Sequence, residues 1–243
     1  MRPSPGGETP AMTIKGVLFD FSGTLFRIES TESWLRTTSE RAGVPLDGDR
    51  TASLARQLAD AERTAGRTCA DGRTRGPRRG VGPSRDSSTE QHRAAYTGMA
   101  RRVPLPDPGL YDALYARHME PAAWRPYADA AGVLAGLRRR GVRTGVVSNI
   151  GWDLRPVFRE HGLDAWVDAY VLSCEHGLQK PDPRLFRTAC EALGLPPEEV
   201  VMVGDDRRAD AGAAAVGCEV FLVDHLPVEE RPGGLLPVLD LVG

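Results

Sequence analysis

Apolar positions follow two rhythms along this chain. Val17, Leu18 and Phe19 form a short unbroken run of the kind buried on both faces of a parallel sheet, and comparable runs recur at 143–147, 169–172, 200–203 and 219–223. Between them the spacing is helical. Ala131, Leu134 and Leu137 share a face within 127–141, which Gly141 stops; 154–161 closes at Gly162, 184–193 stops at Gly194, and 210–216 precedes the last strand. Strand alternating with helix at these intervals predicts an α/β fold with a doubly wound parallel sheet.

The stretch after the first strand breaks that alternation. Segments 29–43 (Trp34, Leu35, Ala42), 49–65 (Leu54, Leu58, Ala61), 89–102 and 108–118 (Leu110, Leu114, Tyr115) are helical in pattern, with no strand between them. They predict a helical module at 28–121, inserted into a core made of 13–27 and 122–243. Two segments lack periodicity. Residues 1–12 read as a disordered leader, and 66–90, rich in Gly, Arg and Ser without large apolar residues, reads as a mobile surface loop. Its six arginines (67, 73, 75, 78, 79 and 85) form no periodic face and have no interleaved aromatics, so they read as solvated charge.

Composition adds limits. At 243 residues the chain can bury a substantial core, and a net charge of -2 provides no field to draw it to nucleic acid or a membrane surface. No apolar run is long enough to span a bilayer and the first residues lack a secretory signal's apolar stretch, so a cytoplasmic protein is expected. Cys69, Cys174, Cys190 and Cys218 show no metal-binding or disulfide spacing. Lysine occurs only at positions 15 and 180 among 31 basic residues. A lysine kept in an arginine-rich chain points to a use for the compact ammonium, and Lys180 is the candidate.

The predicted strands end in polar groups. Asp20 follows the first, with Ser22, Gly23 and Thr24 directly behind it; Ser148 and Asn149 end the second; Gly204, Asp205 and Asp206 end the fourth; Lys180 lies in the loop after the third. Parallel strands bring these ends to one edge, where open α/β sheets bind ligands. Gly23 allows a tight turn and close approach to a ligand, and Thr24 offers a hydroxyl to an anion. Adjacent carboxylates repel, so Asp205 and Asp206 at a buried strand end call for a cation between them.

DFSGTL at 20–25, SN at 148–149, KPDP at 180–183 and GDDRRAD at 204–210 together resemble, in order and spacing, the four motifs of the haloacid dehalogenase-like hydrolase superfamily. The position of the insert resembles that family's C1-type cap. The resemblance implies a Rossmann-like core and a Mg²⁺-dependent phosphatase in which Asp20 attacks the phosphorus of a small phosphorylated substrate. Implied metal ligands are Asp20, the Ser22 backbone carbonyl and Asp205, with Asp206 beside them and Asp210 as a supporting acid or helix cap. Lys180 would offset charge, and Ser148 with nearby amides would hold phosphoryl oxygens.

One position departs from the pattern. Phosphatases of the superfamily carry a second Asp two residues after the nucleophile as general acid and base, and here Ser22 stands there. That help is worth about 10² to 10⁴ in rate, which implies slow or specialised hydrolysis, for instance of acyl or aryl phosphates. P-type ATPases resemble this arrangement in having Thr there. His92 and His118, within the insert, are candidate replacement acids. Two other readings stand beside the phosphatase: a metal-independent 2-haloacid dehalogenase, whose relatives also lack the second Asp, and a non-catalytic protein binding a phospho-ligand or a protein. A phosphonatase-like enzyme is excluded because the insert has no lysine for a Schiff base.

Overall fold

The computed structural model describes residues 13–70 (the backbone alone at 65–70), 86 and 88–242. The expected leader at 1–12 and most of the expected Arg-rich loop, 71–85 and 87, lie outside the described residues.

Strand β1 (Gly16–Phe19) is the centre of a five-stranded parallel sheet of order β5-β4-β1-β6-β7, with β4 at Arg143–Ser148, β5 at Ala169–Leu172, β6 at Val200–Gly204 and β7 at Glu219–Leu222. Side-chain alternation sorts its residues between two cores. Val17, Phe19, Val146, Val201 and Val203 point to one side, and Leu18, Val147, Val200 and Met202 to the other. The first face is covered by α5 (Ala130–Arg139) and α6 (Arg155–Glu160), through Val133, Leu134, Leu137, Val157 and Phe158. The second is covered by α8 (Pro183–Leu193), through Leu185, Phe186, Ala189 and Leu193. Each fully buried Leu, Val or Phe contributes about 1.5–3 kcal/mol by leaving water, so both layers are needed to hold so apolar a sheet.

A second, two-stranded sheet was not expected. Strand β2 (Phe26–Ile28) pairs antiparallel with β3 (Trp124–Pro126), with Arg27 directly opposite Arg125. Ile28 therefore belongs to this ribbon rather than to the insert. Between the two strands in sequence lie α1 (Thr31–Arg41), α2 (Gly48–Ala70), α3 (Thr89–Ala100) and α4 (Gly109–His118), which share a small core of Leu35, Leu54, Leu58 and Leu114. Helix α2 runs five residues past its expected end at Ala65, so 66–70 is helical and not loop. Buried Arg117, in α4, ties that helix to the segments flanking the ribbon by bonds to Glu29 (2.7 Å), Glu120 (2.7 Å) and the Ala122 carbonyl (3.1 Å). Two short helices, α7 (Ser173–His176) and α9 (Val238–Leu241), are also present, and the helix expected at Asp210–Val216 is of the 3₁₀ kind. Among the described residues no helix is long and apolar enough to cross a membrane.

Candidate active site

Register fixes the site. Phe19 pairs with Val146 on one side and Val203 on the other, so Asp20 leaves the sheet level with the ends of β4 and β6. Asp20 is buried, and its Oδ1 accepts from Lys180 Nζ at 2.7 Å; the same ammonium donates to Asp210 Oδ1 at 2.6 Å. Lys180 is held in turn by Asn149, whose Oδ1 accepts from the Lys180 N–H (2.7 Å) and whose Nδ2 donates to the Lys180 carbonyl (2.9 Å). The Asp182 side chain, accepting from the Arg184 N–H, caps α8 directly behind this loop. The chain's second lysine is thus a buried ammonium clamped between two carboxylates by a side-chain amide from the neighbouring strand. Ser148, the last residue of β4, is buried.

Carboxylate oxygens of Asp20, Asp205 and Asp210 all lie within 4.8 Å of one another. Three hard anionic oxygens around one point suit a divalent cation such as Mg²⁺. Asp206, expected among the ligands, does not join them. Its side chain is turned outward and accepts from the N–H groups of Arg208 (2.7 Å) and Ala209 (2.9 Å), capping the following turn. Asp210 takes the inner place: fully buried, it accepts from Lys180 with one oxygen and from the Asp206 N–H (2.9 Å) with the other. This packing requires the glycine that ends β6, because a Cβ on Gly204 would lie 2.2 Å from the Asp210 carboxyl.

Electrostatics follow from burial. Desolvation is the largest influence on Asp20 and pushes its carboxyl up to about 7, reinforced by Asp210 and Asp205 and opposed by Lys180. Lys180 loses by desolvation as well, but the two carboxylates more than offset that and raise its pKa. Burial works to raise Asp205 too, yet hydrogen bonds from His225 and Thr24 hold its carboxyl below the ordinary range.

The Thr24 hydroxyl, expected to face an incoming anion, donates to Asp205 Oδ1 at 3.1 Å. Gly23, at φ +88°, lets the loop run against Asp205, where an added Cβ would meet both that carboxylate and the His225 ring. Ser22 is exposed. It opens on a cavity of about 950 Å³ that Arg27, Glu29, Arg125, His225 and Glu229 also line.

Two residues of the segment after β7 belong to the site and carry no motif. His225 Nδ1 bonds Asp205, and its Nε2 bonds the Arg27 guanidinium. Arg231 is buried with its guanidinium carbon 3.3 Å from the Tyr127 ring centre; it donates to the carbonyls of Gly23 (2.6 Å), Asp224 (2.9 Å) and Thr24. It thereby pins the loop behind Asp20 to the segment that carries His225. The histidines expected as replacement acids lie elsewhere. His92 packs on Gly151 and Tyr96 with its Nδ1 2.9 Å from the Tyr115 hydroxyl, His118 packs among Tyr96, Trp124 and Trp152, and neither lines the cavity.

A family model described as "Hydrolase: haloacid dehalogenase-like hydrolase" matches residues 14–217. The chain is 34% identical over 146 residues to haloacid dehalogenase-like hydrolase domain-containing protein 3 of Mus musculus, covering 54% of this chain and 58% of that protein. It is 41% identical over 101 residues to a phosphoserine phosphatase of Thermus thermophilus, covering 41% of each. It thus spans about half the length of the curated relatives it matches. Among solved structures, an L-2-haloacid dehalogenase from Xanthobacter autotrophicus shares the fold with a TM-score of 0.59 at 24% identity, over 94% of this chain and 86% of that one.

Proposed function

The chain belongs to the haloacid dehalogenase-like hydrolase family, and from that membership we propose that it is a Mg²⁺-dependent phosphatase of small phosphorylated metabolites, working through an aspartyl-phosphate on Asp20. One observation carries the reading: three carboxylates, Asp20, Asp205 and Asp210, converge within 4.8 Å of one another, and a buried lysine bridges two of them, Asp20 and Asp210. Displacement of halide from carbon gains nothing from such a cation site, whereas attack on a dianionic phosphoryl group requires positive charge nearby.

In this reading an Asp20 carboxylate oxygen attacks phosphorus, the bond from phosphorus to the leaving oxygen breaks, and the leaving group departs with the electron pair. Water then attacks the phosphorus of the acyl phosphate, which restores the Asp20 carboxylate and frees inorganic phosphate. Lys180 offsets the approach of like charges, Asp210 and Asn149 hold it in place, and Arg231 fixes the loop that carries Ser22 and Thr24. Held by Asp20, Asp205 and the Ser22 carbonyl with the Asp210 carboxylate beside them, Mg²⁺ would supply further positive charge at the phosphoryl oxygens. Helices α1–α4, within 28–121, serve as a cap over this edge of the 13–27 and 122–243 core. With Ser22 in the general acid position, the best substrates have leaving groups that need no proton.

Phosphate release from acetyl phosphate and p-nitrophenyl phosphate, with Mg²⁺ and with EDTA, tests the proposal. Native protein is expected to be active only with Mg²⁺, and Asp20→Asn to be inactive. Ser22→Asp should accelerate an alkyl phosphate by about 10² or more. No phosphate release by either the native protein or Ser22→Asp would refute the reading, and halide release from a 2-haloacid would replace it with the dehalogenase.

A further inference from the structure

We propose that the cavity opening on Ser22 is a subsite for a second anionic group on the leaving portion of the substrate, anchored by Arg27 and assisted by Arg125. The substrate class is then phosphorylated compounds whose leaving portion carries a carboxylate or a second phosphoryl group. This rests on the phosphatase reading, because it takes the leaving group to depart past Ser22, two residues beyond Asp20.

Three observations converge. Arg27 and Arg125 are direct partners across the antiparallel ribbon, so both side chains stand on one face, and both line the cavity. Like charges directly opposite one another on a two-stranded sheet destabilise it, and an anion held between them would remove that cost. Next, the cavity's other arginines have carboxylate partners and Arg27 has none among the described residues. Arg63 pairs with Asp60 and Arg125 with Glu229, whereas Arg27 bonds the His225 ring. A guanidinium has five N–H donors in a planar fork, which leaves Arg27 the capacity to hold a carboxylate or phosphoryl group bidentately. Finally, the Arg125–Glu229 pair is exposed on both sides, 62% and 65%, so it is worth little and yields readily to a ligand. The relay from Arg27 through His225 to Asp205 also joins this subsite to the catalytic edge.

The test is calorimetric binding of three probes of similar size to the Asp20→Asn protein with Mg²⁺: 3-phosphoglycerate, 1,3-propanediol bisphosphate and glycerol 3-phosphate. At least one of the two probes with a second anion should bind tenfold or more tightly than glycerol 3-phosphate, and which one does so identifies the anion. In Asp20→Asn/Arg27→Gln that preference should fall to about twofold or less, and Asp20→Asn/Arg125→Gln should reduce it in part; thermal unfolding checks that both are folded. If the Gln variant at position 27 does not fold, Arg125→Gln and Arg27→Lys carry the comparison. Equal affinities, no binding of either doubly anionic probe, or a preference untouched by the arginine substitutions overturns the subsite. Acetyl phosphate hydrolysis by the native protein is scored separately: its absence counts against the phosphatase reading, whereas a lost binding preference counts against the subsite.

Discussion

Replacing Lys180 by methionine keeps the aliphatic volume and deletes the charge between Asp20 and Asp210. The ammonium lies 2.7 Å and 2.6 Å from the two carboxylates, and all three side chains are buried, at 3%, 11% and 0% exposure. Removing one partner of a buried ion pair costs about 3–5 kcal/mol, because the remaining charge has neither water nor counter-ion. Here two carboxylates are left, with Asp205 close by. They relieve the cost by taking up a proton. Burial already pushes Asp20 up to about 7 with Lys180 in place, and its folded value rises further without the ammonium. A carboxyl whose folded pKa exceeds its unfolded one, about 4, contributes stability that is complete below pH 4 and lost as pH rises through the folded value. Native protein loses the same stability up to about pH 7, so the variant's deficit is smaller at pH 5 than at pH 8 by about 1.4 kcal/mol, and near pH 8 it reaches about 3–5 kcal/mol. Urea unfolding of native and variant protein in EDTA at both pH values measures it. A deficit below about 1 kcal/mol at pH 8, or one equal at the two pH values, would refute this account of the site's electrostatics.

Asn149→Ala removes both bonds to the Lys180 backbone, so phosphate turnover should drop at least tenfold while thermal stability falls by about 1–3 kcal/mol, read from activity and calorimetry on one preparation. Arg231→Met strands the carbonyls of Gly23, Thr24 and Asp224; a loss of about 2–4 kcal/mol is expected, seen as a midpoint roughly 4–16 °C lower. A midpoint within 1–2 °C of native would contradict the clamp. Asp206→Ala should cost only a cap, about 1 kcal/mol, with Mg²⁺ affinity nearly intact, whereas Asp210→Asn should weaken Mg²⁺ binding severalfold by calorimetry. The reverse order would restore Asp206 to the ligand set. Gly204→Ala forces a methyl into the Asp210 carboxyl and should destabilise by about 1–3 kcal/mol in urea unfolding.

The sequence by itself determined the sheet and the edge that matters. Unbroken runs such as Val17–Phe19 and Val200–Val203 have to be covered on both faces, and helices spaced between them have to cross over, so a parallel sheet follows and its polar strand ends share an edge. Asp20, Asn149, Lys180 and Asp205 were legible for that reason. The tertiary structure decided the rest. Strands β2 and β3 are three residues each, too short for any period, and exist because chain segments nearly a hundred residues apart meet there. Between the acids at 206 and 210, composition offers no choice; the turn after β6 makes it, aiming one at its own backbone and the other at Lys180. His225 and Arg231 lie beyond the last periodic strand and act on Asp205, Gly23 and Thr24 from as far as 208 positions away. Periodicity records which face of an element is buried. It carries no information about which distant polar group will be waiting when that face is packed, and in this protein those meetings complete the site.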